Sequence, residues 1–138
     1  MRVFFDTNVL AAAFATRGLC SALFQEVLGR HELVSSLAIL AELERVLLDK
    51  FKVPADQVDG IMAFVRSGSR LSEPDGKASY PINDTDDAPH LSAAENAQCE
   101  FFVTGDKELW ALDPIGAMRI VSPGDFRSAA EPQPQKDL

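Results

Sequence analysis

The stretch VFFDTNVL, Val3 to Leu10, decides how the rest of the chain is read. Val3 to Phe5 is a short continuous apolar run, the pattern of a strand buried on both faces. It stops abruptly at Asp6, Thr7 and Asn8 before the chain turns apolar again. A carboxylate sealed in a core would be very costly, so an acid at this point either caps the next turn or faces a cleft at the strand's carboxyl end. The same pattern recurs in EFFVTGD, residues 100–106, where a second apolar run ends in Asp106. Either acid alone is explained by capping. Two at equivalent strand ends point to a shared site, because open parallel sheets bind ligands at the carboxyl ends of their strands.

Between and beyond these runs, strand and helix patterns alternate. Glu32 to Val34 is a second short strand and Arg119 to Val121 another, while GSRLSEPDGKASYP is mostly loop with at most a short strand inside it. LCSALFQEVLG has helical spacing closed by Gly29, and Ser35 and Ser36 are cap candidates for the helix LAILAELERVLLDKF. Pro54 opens a helix with Val58, Ile61, Met62 and Val65 on one side, and a compact helix begins near Asp87, with Pro89 tolerable only in its first turn. Crossover units of this kind predict a mostly parallel sheet covered on both faces.

With 138 residues and 46% hydrophobic content, the chain can bury one sizeable core but not two. We expect one domain over 1–128 and a disordered tail over 129–138, where SAAEPQPQKDL holds no apolar residue except alanines and the last leucine. No apolar run is long enough to span a bilayer and MRVFFDTN lacks signal-peptide features, so the expectation is a cytoplasmic protein without membrane contact. Cys20 and Cys99 fall in apolar, helix-like patterns and are expected to be buried thiols. A net charge of −8 and a pI near 4.6 argue against a broad basic face. They do not argue against nucleic acid, since clustered carboxylates recruit divalent metal that supplies positive charge locally.

Two further acid sources complete the candidate set. At about 100° per residue, Leu37, Leu40, Leu43, Leu47 and Leu48 form the expected buried arc of the LAILAELERVLLDKF helix, with Ile39 and Val46 extending one edge. Glu42 lies about 40° past Val46, on the border of that face. In NDTDDAPH, Asp84, Asp86 and Asp87 crowd a helix start. The helix dipole accounts for one of them, not three, and oxygen-only ligands without an intervening Lys or Arg favour Mg²⁺ or Mn²⁺.

FFDTNVL, LAELERVL, DTDDAPHLSAAENAQCEFFVTGDKELW and IVSPGDF, in that order, resemble a PIN-domain protein of the toxin-like subfamily. The similarity spans residues 2 to about 127, and DTNVL and VTGDKEL are its most specific parts. The resemblance implies an α/β/α sandwich and a metal-dependent ribonuclease acting on RNA, the toxin of a toxin–antitoxin pair with an antitoxin protein as partner; a homodimer is a separate candidate assembly. It implies metal-site acids at Asp6, Glu42, Asp87 and Asp106, with Asp84 or Asp86 as alternatives in the cluster, and supporting roles for Asn8 and Thr104. The chain departs from the family pattern at Thr85, where proline is usual, at Ala88, where an acid often stands, and at Pro89 and His90, where plain apolar residues are normal.

His31 and His90 are read as structural or surface residues, away from the acids. Trp110 and Phe126 are read as packing residues, and Arg17, Arg45, Arg66 and Arg70 as candidates to line an RNA path. Two other readings compete with this one. A haloacid-dehalogenase-like phosphatase also starts with a strand ending in an acid, but it needs a second Asp where this chain has Asn8, and Lys107 lies on the wrong side of Asp106. A catalytically inactive PIN-like interaction module would be expected to have lost Asp6 or Asp106.

Overall fold

The computed structural model describes residues 1–76, 79–82 and 85–130. Five parallel strands form one sheet: β1 (Arg2–Phe5), β2 (Glu32–Ser35), β3 (Ser69–Leu71), β4 (Phe101–Val103) and β5 (Arg119–Val121). Their spatial order is β3-β2-β1-β4-β5. Helices α1 (Thr7–Ala15) and α2 (Leu19–Arg30) link β1 to β2, and α3 (Leu37–Asp49) and α4 (Ala55–Gly68) link β2 to β3. A 3-10 turn at Thr85–Asp87 leads into α5 (Ala88–Asn96), and α6 (Lys107–Trp110) and α7 (Pro123–Ala130) follow β4 and β5.

Successive strand residues point to opposite faces, yet Val3, Phe4 and Phe5 are all 0% exposed. Helices therefore cover both faces, which is the expected three-layer α/β/α sandwich. Phe4 and Phe102 stand opposite one another on β1 and β4, and their rings stack at 5.2 Å. The strand order has one consequence for function. The chain steps from β1 outward to β2 and β3, then crosses back to place β4 on the other side of β1. The order reverses between β1 and β4, so the crevice at their carboxyl ends is the topological switch point.

Several details differ from expectation. α2 runs through Gly29 to Arg30 and ends on an extended His31 whose N–H bonds Val27 O, so no left-handed glycine is needed there. The buried face of α3 is Ile39, Leu40, Leu43 and Leu47, whereas Leu37 is 49% exposed. The covered arc is thus turned toward Ile39, and Glu42 sits nearer to buried surroundings. Cys99 is buried but lies in the turn after α5, not within a helix. Helix α7 runs to Ala130, and residues 131–138 of the expected tail lie outside the described ones.

The segment after β3 is tied to α5. Ser72 Oγ donates to Ala93 O at 2.8 Å, the Asp75 amide to Ser92 Oγ at 2.7 Å, and Asn96 Nδ2 to Glu73 O at 3.0 Å, while Tyr80 OH bonds Glu95. Through these bonds the connection steadies the helix that carries Asp87 and His90 at its start. No single helix among the described residues is long and apolar enough to cross a membrane; α1 and α2 reach that length only together, and they meet at 103°.

Candidate active site

Asp6 is the first residue beyond β1 and the N-cap of α1, with extended backbone angles of −62° and 158°. Its Oδ1 accepts the Thr7 amide at 2.8 Å and its Oδ2 accepts the Thr104 hydroxyl at 2.8 Å. Asp106, three residues beyond β4, caps α6 by accepting the Glu108 amide on Oδ1 at 2.9 Å. The two explanations for these acids are thus both true: each one caps a helix and each lines the cleft at the switch point.

That cleft has a volume of about 520 Å³. Asp6, Glu42, Asp86, Asp87 and Asp106 line it, together with Thr7, Asn8, Arg45, Val46, Lys50, Thr104 and Gly105. The structure therefore brings together Asp6, Glu42, Asp87, Asp106 and the alternative Asp86; Asp84 lies outside the described residues. Among the described residues no three His, Cys, Asp or Glu side chains converge closely enough to form a ready-made metal cage.

Glu42 reaches the cleft from α3. Its Oε2 accepts the Thr7 hydroxyl at 2.7 Å and lies 3.1 Å from His90 Nε2. Thr104 is fully buried and forms part of the floor; its carbonyl accepts the Trp110 indole N–H at 2.7 Å, which gives that packing residue a second task. Asn8 is exposed at the rim, where its Oδ1 accepts Lys50 Nζ at 3.2 Å. Burial pushes the Asp6 carboxyl above its ordinary range, and the Glu42 charge pushes the same way. The Thr104 and Thr7 hydrogen bonds and His90 offset this only in part.

His90 is the clearest departure from expectation. It is 3% exposed and touches Glu42, rather than standing apart from the acids. The sequence held a signal for this: His90 is three residues after Asp87, so the two lie on neighbouring positions of one helical turn. Thr7 and Lys50 were missed as well. Thr7 follows Asp6 at the start of an unmarked, nearly all-apolar helix, and Lys50 closes α3 two turns past Glu42. His31 sits instead near the N-terminal amine, 3.4 Å from Nδ1, at the opposite ends of the strands. Of the four arginines singled out, Arg45 lines the cleft and Arg70 pairs with Glu32.

Comparison with known proteins agrees with this architecture. One chain of the crystal structure of VapBC2 from Rickettsia felis bound to a DNA fragment from their promoter superposes with a TM-score of 0.63, covering 88% of this chain and 98% of that one. The identity is 17%, so the likeness is one of fold. No curated protein matches the sequence. Residues 2–108 match the PIN domain, a span that includes β1, β4 and every acid of the cleft. The chain belongs to the PIN-domain family, whose members are generally nucleases.

Proposed function

We propose that this protein is a Mg²⁺- or Mn²⁺-dependent endoribonuclease that cuts RNA phosphodiester bonds in the cytoplasm, as the toxin of a toxin–antitoxin pair. The observation that carries the reading is the lining of the switch-point cleft, in which, among the described residues, five carboxylates stand with the two cations Arg45 and Lys50. Asp6 lies at the floor with no cation hydrogen-bonded to it among the described residues, and burial, with the Glu42 charge beside it, holds its carboxyl above the ordinary range, a penalty that a bound cation would relieve.

The donor set suits a hard divalent ion. All candidate donors are oxygens, and Mg²⁺ is commonly held by one or two carboxylates with water completing its shell, so a preformed three-acid cage is not required. Asp6, Glu42, Asp87 and Asp106 would hold the metal, with Asp86 or Asp84 as alternatives to Asp87. A divalent ion bound there supplies positive charge to the phosphate and lowers the pKa of attacking water. The chain's own contribution is placement. The Thr7 amide and the Thr104 hydroxyl fix the Asp6 carboxylate, helix capping fixes Asp106, and Arg45 and Lys50 meet flanking phosphates at the cleft edge. Asn8 supports the rim by holding Lys50.

The RNA substrate and the antitoxin partner rest on the sequence resemblance, supported by the shared fold with the VapBC2 structure; a homodimer is a candidate assembly of the same proposal. The test is cleavage of single-stranded and loop RNA with Mg²⁺ or Mn²⁺, with and without EDTA. Cleavage that stops on chelation and returns with metal is expected. Equal cleavage in EDTA overturns the metal mechanism, hydrolysis of phosphomonoesters alone favours the phosphatase reading, and a folded protein that neither binds Mn²⁺ nor cuts RNA is an interaction module.

A further inference from the structure

The geometry points to His90 as a positioning residue for Glu42: an imidazole from α5 that, with Thr7 from α1, locks one carboxylate oxygen so that the other is presented to the cleft. This rests on the reading of Glu42 as a metal ligand given above.

Both donors converge on the same atom. Thr7 Oγ1 lies 2.7 Å and His90 Nε2 3.1 Å from Glu42 Oε2, while Oε1 has no hydrogen-bond partner among the described residues. A carboxylate only accepts, so the ring hydrogen is on Nε2. Glutamate has three side-chain torsions and this one is about one-third exposed, with 32% of its side-chain surface accessible. Left to itself it would sample several rotamers. Two donors from two different helices select one of them.

The placement of His90 is hard to explain by packing alone. The side chain is 3% exposed and its Nδ1 has no partner among the described residues. A buried ring nitrogen without a partner is unfavourable, and an aliphatic residue of similar bulk would avoid that cost. Among the described residues, the polar contact that its ring makes is the bond from Nε2 to Glu42. Outer partners of this kind orient the ligands of metal sites, and their loss typically weakens metal binding or activity by roughly 10- to 100-fold.

The test compares three substitutions of His90 in the full chain, measuring Mn²⁺ binding by calorimetry and by the electron paramagnetic resonance of free Mn²⁺. His90→Leu keeps bulk without a donor. His90→Asn keeps polarity but is too short to reach Glu42, and His90→Gln carries its amide N–H to about the place of Nε2. We expect Leu and Asn to weaken Mn²⁺ binding roughly 10- to 100-fold and to lower kcat with little change in KM for RNA, and Gln to recover most of both. Wild-type Mn²⁺ affinity in the Leu or Asn protein overturns the proposal, even if its metal-free melting temperature falls, as does a Gln protein no better than Asn. Should the Leu protein fail to fold, the Gln and Asn pair decides alone. Glu42→Gln separates the two levels: if it binds Mn²⁺ as the wild type does, the reading of Glu42 as a ligand has failed, whereas a weakened Glu42→Gln beside an unaffected His90→Asn overturns only the positioning role.

Discussion

Thr104 and Asp6 are joined by a hydrogen bond of 2.8 Å from the threonine hydroxyl to Oδ2, and the same hydroxyl oxygen accepts the Asp106 amide at 3.0 Å. One fully buried hydroxyl therefore ties the acid after β1 to the segment carrying the acid after β4. Thr104→Val keeps the shape but leaves the Asp106 amide and one Asp6 oxygen without this partner. The expected cost is about 1–3 kcal/mol in stability, with a loss of cleavage of at least about tenfold, and Thr104→Ser should restore most of both. A Thr104→Val protein that melts and cuts like the wild type would show that the bridge does not organise the site.

Arg45 and Lys50 line the same cleft without touching the acids in any described ion pair. If they meet phosphates of a single strand, replacing either with alanine should raise KM for RNA severalfold and leave kcat near its original value. The logarithm of affinity plotted against the logarithm of salt concentration should also flatten, by about 0.7 for each lost contact. An unchanged salt slope in the double mutant would place the RNA elsewhere.

The strands were legible because this sheet is covered on both sides. Uninterrupted runs such as Val3 to Phe5 admit few other readings, and the short β3 was anticipated within a loop-rich stretch. The acids were legible as a set because each stands at a strand end, a helix border or a helix start. What periodicity could not supply was helix-to-helix contact. The burial of His90 against Glu42 depends on α5 meeting α3, two elements 48 residues apart at the point of contact. The exposure of Leu37 has the same origin, since what covers an N-terminal turn is decided by neighbouring elements and not by the helix itself. Helix α1 was hidden by the near absence of polar positions in Thr7–Ala15, which removes the contrast that marks an amphipathic helix.

Helix α7 is anchored to the sheet by one aromatic side chain. Phe126 of α7 is 0% exposed and its ring meets Phe5 at 6.2 Å and Phe101 at 5.2 Å. Phe126→Ala should cost about 3–5 kcal/mol. Residues 131–138, EPQPQKDL, carry one leucine among polar residues and prolines, which motivates a truncation test. A chain ending at Ala130 should melt within a degree or two of the full protein, and a drop of many degrees would mean that the last eight residues are docked.

Asp113 accepts Arg119 Nε at 2.9 Å and Nη2 at 3.1 Å, as well as the Ile120 amide at 2.8 Å, and so anchors the start of β5. The Arg119 hydrogen bonds hold its carboxyl below the usual range. The stability this contributes is therefore full above the ordinary aspartate pKa and is lost as pH falls through the lowered value. Asp113→Asn should destabilise only modestly at neutral pH, because the partner arginine is half exposed, and progressively less in acid, where the wild-type carboxyl becomes protonated. A cost that does not shrink in acid would assign the effect to the Ile120 amide alone.

Asp6→Asn gives the sharpest contrast, because the pKa of Asp6 moves in the opposite direction. Burial and the Glu42 charge raise it, so the ionised form destabilises the metal-free fold. Above the ordinary aspartate pKa the folded state holds its proton more firmly than the unfolded state does, and stability falls as pH rises through that window. Asparagine removes the charge and with it this penalty, although its amide group can satisfy only one of the two donors that Asp6 now accepts. At neutral pH the metal-free mutant should therefore melt at or above the wild-type temperature, and its advantage should shrink as the pH is lowered and Asp6 becomes protonated in the wild type. Mn²⁺ should raise the melting temperature of the wild type and barely move that of the mutant, while RNA cleavage by the mutant falls by about 100-fold or more. If Asp6 only caps α1, asparagine caps nearly as well and activity should survive. An active Asp6→Asn protein with the wild-type response to Mn²⁺ would thus reduce Asp6 to a helix cap.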